Sequence, residues 1–129
     1  EESVTEQKNS LAVCLDNILR HAGITRNTEY DLAQGKTATT ILSENMTGVQ
    51  VLDLSGCTLD AVLYYVNQDI PVLAILEDGE AVLVTGFNEF NVVIMEPATG
   101  KLYKKGMNDA TAWFAENGNH FITYMRTEN

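Results

Sequence analysis

Only two cysteines and two histidines occur in the 129 residues, and neither type shows metal-ligand spacing, which excludes a structural zinc centre. Basic residues are also scarce: 8 Lys and Arg stand against 18 Asp and Glu, giving a net charge of −10. A surface of that sign repels phosphate backbones and anionic headgroups, so nucleic-acid binding and peripheral membrane attachment are disfavoured. No apolar run approaches the ~20 residues of a membrane-spanning helix. There is no glycine-rich phosphate loop, no G-x-S-x-G elbow and no internal repeat. No cofactor is expected.

What is present is an ordinary globular composition, 45% hydrophobic and 20% charged, in a chain long enough for one self-sufficient core. The first residues, Glu1-Glu2-Ser3, begin without Met and without a charged-then-apolar leader. We expect a piece of a longer protein, with residues 1–8 as the end of a linker and 9–129 as a single domain, monomeric in isolation.

Periodicity divides the chain. Leu11, Cys14, Leu15, Ile18, Leu19 and Ala22 recur at helical spacing, with Asn9 or Ser10 as cap and Gly23 as terminator. Shorter helical patterns cover residues 28–34 and 37–45. Val49 to Leu52 reads as a strand, and Thr58 caps a helix over 59–68. Strands follow at 71–76, 81–87, 92–95 and 102–105, with Asp78-Gly79 a hairpin turn and 88–91 another tight turn. A helix over 108–116 and a strand over 120–125 close the chain. Helices first, then antiparallel strands interrupted by helices, make an α+β class.

The stretch Asp78-Gly79-Glu80-Ala81-Val82-Leu83-Val84-Thr85-Gly86-Phe87, with Ile94-Met95-Glu96-Pro97-Ala98-Thr99-Gly100 after it, resembles the end of a C39-type, papain-like cysteine peptidase. In that family the first strand reads G-H-A-V-L-V-x-G-Y and the second ends in D-P-x-x-G. Ser10-Leu11-Ala12-Val13-Cys14-Leu15, with Leu19-Arg20 and Gly23, is similar to the family's nucleophile helix. Leu59 to Ala74 and the segment around Trp113-Phe114 and Gly118 to Ile122 resemble it too, so the likeness spans most of residues 7–125.

The resemblance implies a papain-like α+β fold, N-terminal helices packed on a bent antiparallel sheet. It also implies where a triad would lie, and this chain departs from the pattern at every member. The nucleophile position holds Ser10, the base position Glu80 and the orienting position Glu96; the Gly after the nucleophile is Leu11. Gln7 is the residue comparable with an oxyanion-hole Gln, although it lies close to Ser10. A carboxylate with a reference pKa near ~4.3 is poorly matched to deprotonating a serine, and lacks the second nitrogen that lets imidazole be oriented on one side and react on the other. A paired Glu in the orienting position adds like charge.

These departures point to a non-catalytic, pseudo-peptidase domain of a larger bacterial surface or secreted protein, extracellular or in the cell envelope. Some C39-like domains of exporters lack the nucleophile and still hold substrate peptide, so the resemblance implies a peptide or protein segment as partner. Two alternatives stand beside it: a working peptidase or acyl transferase using Cys14, and a spacer domain without ligand. On its helix Cys14 falls on the apolar stripe, as a buried structural thiol does. Cys14 and Cys57 either pair, if the protein is extracytoplasmic, or remain two thiols. Glu77, Asp78, Glu80 and Glu96 match no calcium loop and read as a solvated acidic rim.

Overall fold

The computed structural model describes residues 9–127; Gln7 and the rest of the segment 1–8 lie outside them. The elements are α1 (Ser10–His21), α2 (Thr28–Ala33), α3 (Ala38–Asn45), β1 (Val49–Asp53), α4 (Leu59–Val66) and β2 (Val72–Ile75). Then come β3 (Ala81–Phe87), β4 (Asn91–Met95), β5 (Leu102–Gly106), α5 (Met107–Glu116) and β6 (His120–Arg126). Type and order agree with the sequence reading, with ends displaced by about two residues at most.

Helix α1 forms where its sequence supplies both ends. Asn9 Oδ1 accepts from the amides of Leu11 at 2.8 Å and Ala12 at 3.3 Å, and Gly23 takes φ +81° just past the last turn. The buried stripe is Ala12, Cys14, Leu15, Ile18 and Leu19. Ala12 replaces the expected Ala22, which is exposed, because the helix ends before Ala22 can turn inward. Thr58 has the extended backbone of a cap residue, yet its hydroxyl makes no capping bond.

The strands build one six-stranded sheet in the order β1-β6-β2-β3-β4-β5, and every neighbouring pair is antiparallel. Local turns make the β2–β3–β4–β5 meander. At the first turn Asp78 Oδ1 accepts from the Glu80 amide at 2.9 Å and Gly79 adopts φ +88°. At the second, Asn88 Oδ1 accepts from the amides of both Phe90 and Asn91 at 2.8 Å. Strand β6 inserts between β1 and β2, a long-range pairing that closes the sheet.

Alternation along the strands sends Leu73, Leu83, Met95, Ile122 and Tyr124 into a core with α1 and α3. Val72, Val82, Val84, Ile94 and Phe121 enter a second core with α4 and α5. Helices therefore cover both faces, whereas the sequence reading placed only the N-terminal helices against the sheet. An amphipathic pattern says that one side of a helix needs cover, not which side of a sheet provides it. In the second core Phe114 and Phe121 meet edge to face, with centroids 5.3 Å apart.

The same division settles the cysteines. Cys14 lies in the first core and Cys57 packs against the second, and both are free thiols. Two buried polar groups are satisfied locally: Thr123 Oγ1 donates to the Pro71 carbonyl at 2.9 Å, and Thr28 Oγ1 donates to Asp16 Oδ1 at 2.6 Å.

Candidate functional site

The head of α1 lies against the start of β3. Ser10, half-buried, accepts a hydrogen bond at its Oγ from the Ala81 amide at 2.9 Å. Ala81 follows Glu80 in the chain, so the fold brings Ser10 to the peptide beside Glu80 across 71 residues of sequence. Glu80 itself ends the β2–β3 hairpin. Its carbonyl accepts from the Leu76 amide at 2.7 Å, its amide donates to Asp78, and its side chain is exposed.

Glu96 occupies the corresponding end of β4. Its amide donates to the Lys101 carbonyl at 2.9 Å and its carbonyl accepts from the Gly100 amide at 2.7 Å, which folds the β4–β5 turn. The carboxylate accepts a long bond from Thr99 Oγ1 at 3.3 Å. Its charge also reaches Tyr103, whose phenol is pushed up first by burial and then by Glu96. Tyr103 pairs with Ile94, a residue of the α4/α5 core, and strand alternation carries Glu96 to that same side. Helix α1 covers the other face. No hydrogen bond or ion pair joins any two of the Ser10, Glu80 and Glu96 side chains. Gln7 lies outside the described residues.

One turn beyond Ser10 stands Cys14. It is fully buried, and burial pushes its thiol up to about 12. A thiol so placed is neither ionised at neutral pH nor reachable by a substrate. His21 is exposed at the far end of the same helix. His120 begins β6, pairs with Ile75, and contributes to holding the Asp53 carboxyl below its usual range after the larger effect of the Ser55 hydroxyl. Neither imidazole is hydrogen-bonded to Ser10. Among the described residues no group of three or more His, Cys, Asp and Glu is placed to hold a metal ion. No described helix is long and apolar enough to cross a membrane.

Sequence reading missed the open ground beside α1. A groove of about 360 Å³ runs between the polar flank of α1, at Asn17 and His21, and the part of the β3–β4–β5 face that carries Leu83, Met95 and Leu102. Leu83 and Met95 are its buried floor, Asp69 and Leu102 its exposed border. Leu102 is 61% exposed although it sits on a regular strand. Its signal in the sequence was a lone aliphatic residue in a strand otherwise made of Tyr, Lys and Gly. Hydrogen-bonding groups on one side and aliphatic carbon below suit an extended chain with apolar side groups.

No family model matches this sequence, and no curated protein is similar to it. A solved structure described as a C39-like peptidase from Bacillus anthracis is similar in fold, with a TM-score of 0.76 over 94% of this chain and 90% of that one. The two are 14% identical in sequence, so the likeness shows the fold, an α+β arrangement of the C39-like type.

Proposed function

We propose that this is a non-catalytic domain of the C39-like fold that binds an extended peptide segment in the groove beside α1. The observation that carries the reading is the Ser10–Ala81 hydrogen bond. It engages the Ser10 hydroxyl with a backbone amide, at a place where, among the described residues, no imidazole is in contact and the nearby thiol of Cys14 is buried. A serine without a base is too weak a nucleophile to attack an amide. The groove has what binding needs and hydrolysis does not: an aliphatic floor and hydrogen-bonding groups along one wall. Such a domain serves as an interaction module of a larger surface or secreted protein.

Two measurements test this. A pooled peptide-substrate library is incubated with the domain and read by mass spectrometry, and the same peptides are titrated while amide NMR shifts are followed. The expected result is no cleavage, with saturable shifts clustered at Asn17, Leu83, Met95 and Leu102. Turnover that survives purification and is lost in Ser10→Ala overturns the non-catalytic reading. The absence of any saturable peptide, at millimolar concentrations, overturns the binding one.

A further inference from the structure

A second cleft, of about 340 Å³, opens where α1 and α3 end against the β1–β6 edge of the sheet. Its chemistry is unusual for this chain. Its described lining includes Arg126 and His21 and no Asp or Glu, although acidic residues outnumber basic ones 18 to 8 overall. Ile24, Met46 and Val49 supply aliphatic walls.

Tyr124 lines the same cleft. It is 3% exposed, and its hydroxyl has no hydrogen-bond partner among the described residues. A buried hydroxyl without a partner costs free energy, and a native chain seldom carries one without a use. Arg126, two residues on along β6, shares its side of the strand. Strand β6 therefore presents a phenol and a guanidinium to one space. The carbonyl ends of α1 and α3 border the cleft and bring partial negative charge, roughly half an elementary charge per helix at most. A full guanidinium charge and two further donors outweigh that. Asp69, outside the described lining, also acts on the Tyr124 phenol, but less than Arg126 does.

We propose that this cleft binds a carboxylate carried on an aliphatic body. The carboxylate would be received by the Tyr124 hydroxyl and Arg126, with His21 at the rim and the aliphatic part against Ile24, Met46 and Val49. Two sources share that chemistry, a free branched aliphatic acid and the C-terminal residue of a peptide. The site shares only His21 with the groove beside α1, so it stands or falls separately from the peptide-binding reading.

The test is titration of the domain with isovalerate, N-acetyl-leucine and N-acetyl-leucine amide, followed by amide NMR shifts and calorimetry. The carboxylates are expected to shift Gly48, Val49 and Arg126 saturably, with the amide binding about tenfold or more weakly, the loss expected for a charge-assisted contact. Tighter binding of N-acetyl-leucine assigns the site to peptide C-termini, and tighter binding of isovalerate assigns it to free acids. Arg126→Gln should weaken the carboxylates about tenfold. Tyr124→Phe is the discriminating variant: it should weaken binding while leaving the melting temperature unchanged or higher, since it removes a buried hydroxyl that has no partner among the described residues. The proposal is overturned if neither carboxylate saturates, if the amide binds equally well, or if both variants bind like the parent.

Discussion

Ser10 Oγ and the Ala81 amide meet at 2.9 Å, tying the first residue of the longest helix to the first residue of the central hairpin strand. A hydroxyl at the head of a helix, facing a strand start, is placed where a nucleophile would be useful. Here it acts as a structural acceptor. Whether the domain does chemistry therefore turns on what Ser10 is for.

Replacing Ser10 with Ala leaves the Ala81 amide without its acceptor in a part-buried place. The expected cost is about 1 kcal/mol, the net worth of one such hydrogen bond. Urea denaturation of the variant should show that loss in midpoint with little change in slope. Peptide turnover should be zero in both proteins. A Ser10→Ala domain as stable as the parent means that the hydroxyl is not holding helix to strand.

Much of this arrangement was legible in the sequence. Ser10 at the start of α1, the Asp78-Gly79 hairpin and the strands flanking it all followed from period and turn chemistry, which act over a few residues. The insertion of β6 between β1 and β2 did not, because nothing local tells Ile122 that it will sit opposite both Asp53 and Leu73. For the same reason α4 and α5 could be recognised as amphipathic without revealing that they cover the opposite face. At the site, the resemblance gave positions and the structure gave contacts. Glu96 proved to belong to the β4–β5 turn and the Tyr103 side, which alignment of a motif cannot tell. Both clefts remained hidden, since each is assembled from side chains of at least three elements.

Leu102 offers a clean probe of the groove beside α1. Being 61% exposed, it contributes little to the core, and Leu102→Asp should change stability by no more than about 0.5 kcal/mol. The same change puts a charge on an apolar border. Peptides that bind the parent should bind the variant about tenfold less well, consistent with losing one buried aliphatic contact. Equal affinities in a calorimetric titration would move the peptide site elsewhere.

Acid should loosen the helical half at one identifiable point. Asp31, whose side chain is 2% exposed, takes a two-pronged contact from Arg26, with Nε to Oδ2 and Nη2 to Oδ1 both at 2.8 Å. The guanidinium hydrogen bond, more than any other influence, holds the Asp31 carboxyl below its ordinary value. A carboxyl depressed in the folded state adds stability above its unfolded pKa of about 3.9 and loses it as pH falls through the lower folded value. Arg26 is 43% exposed, so water screens part of the attraction. Asp31→Asn should therefore be less stable than the parent at pH 7, with the gap narrowing in acid, below the unfolded value of about 3.9. A gap independent of pH, in parallel melts at pH 7 and in acid, assigns the loss to packing and not to the charge pair.

The two thiols should separate sharply under a labelling reagent. Cys14 is fully buried between α1 and the sheet, and burial pushes its thiol up to about 12, so at neutral pH it offers neither thiolate nor access. Cys57, half-exposed ahead of α4, has no such barrier of access. Iodoacetamide at pH 7.5 should modify Cys57 first and Cys14 only at the rate of global or local opening, and both should react together once the chain is unfolded in urea. Cys14→Ala removes a buried sulfur from the first core and should cost about 1–2 kcal/mol, as deletion of a small buried apolar group does, while peptide affinity stays the same. Rapid stoichiometric labelling of Cys14 in the folded protein, with turnover abolished by Cys14→Ala, would falsify the non-catalytic reading. It would mean that α1 lifts from the sheet often enough to expose a working nucleophile.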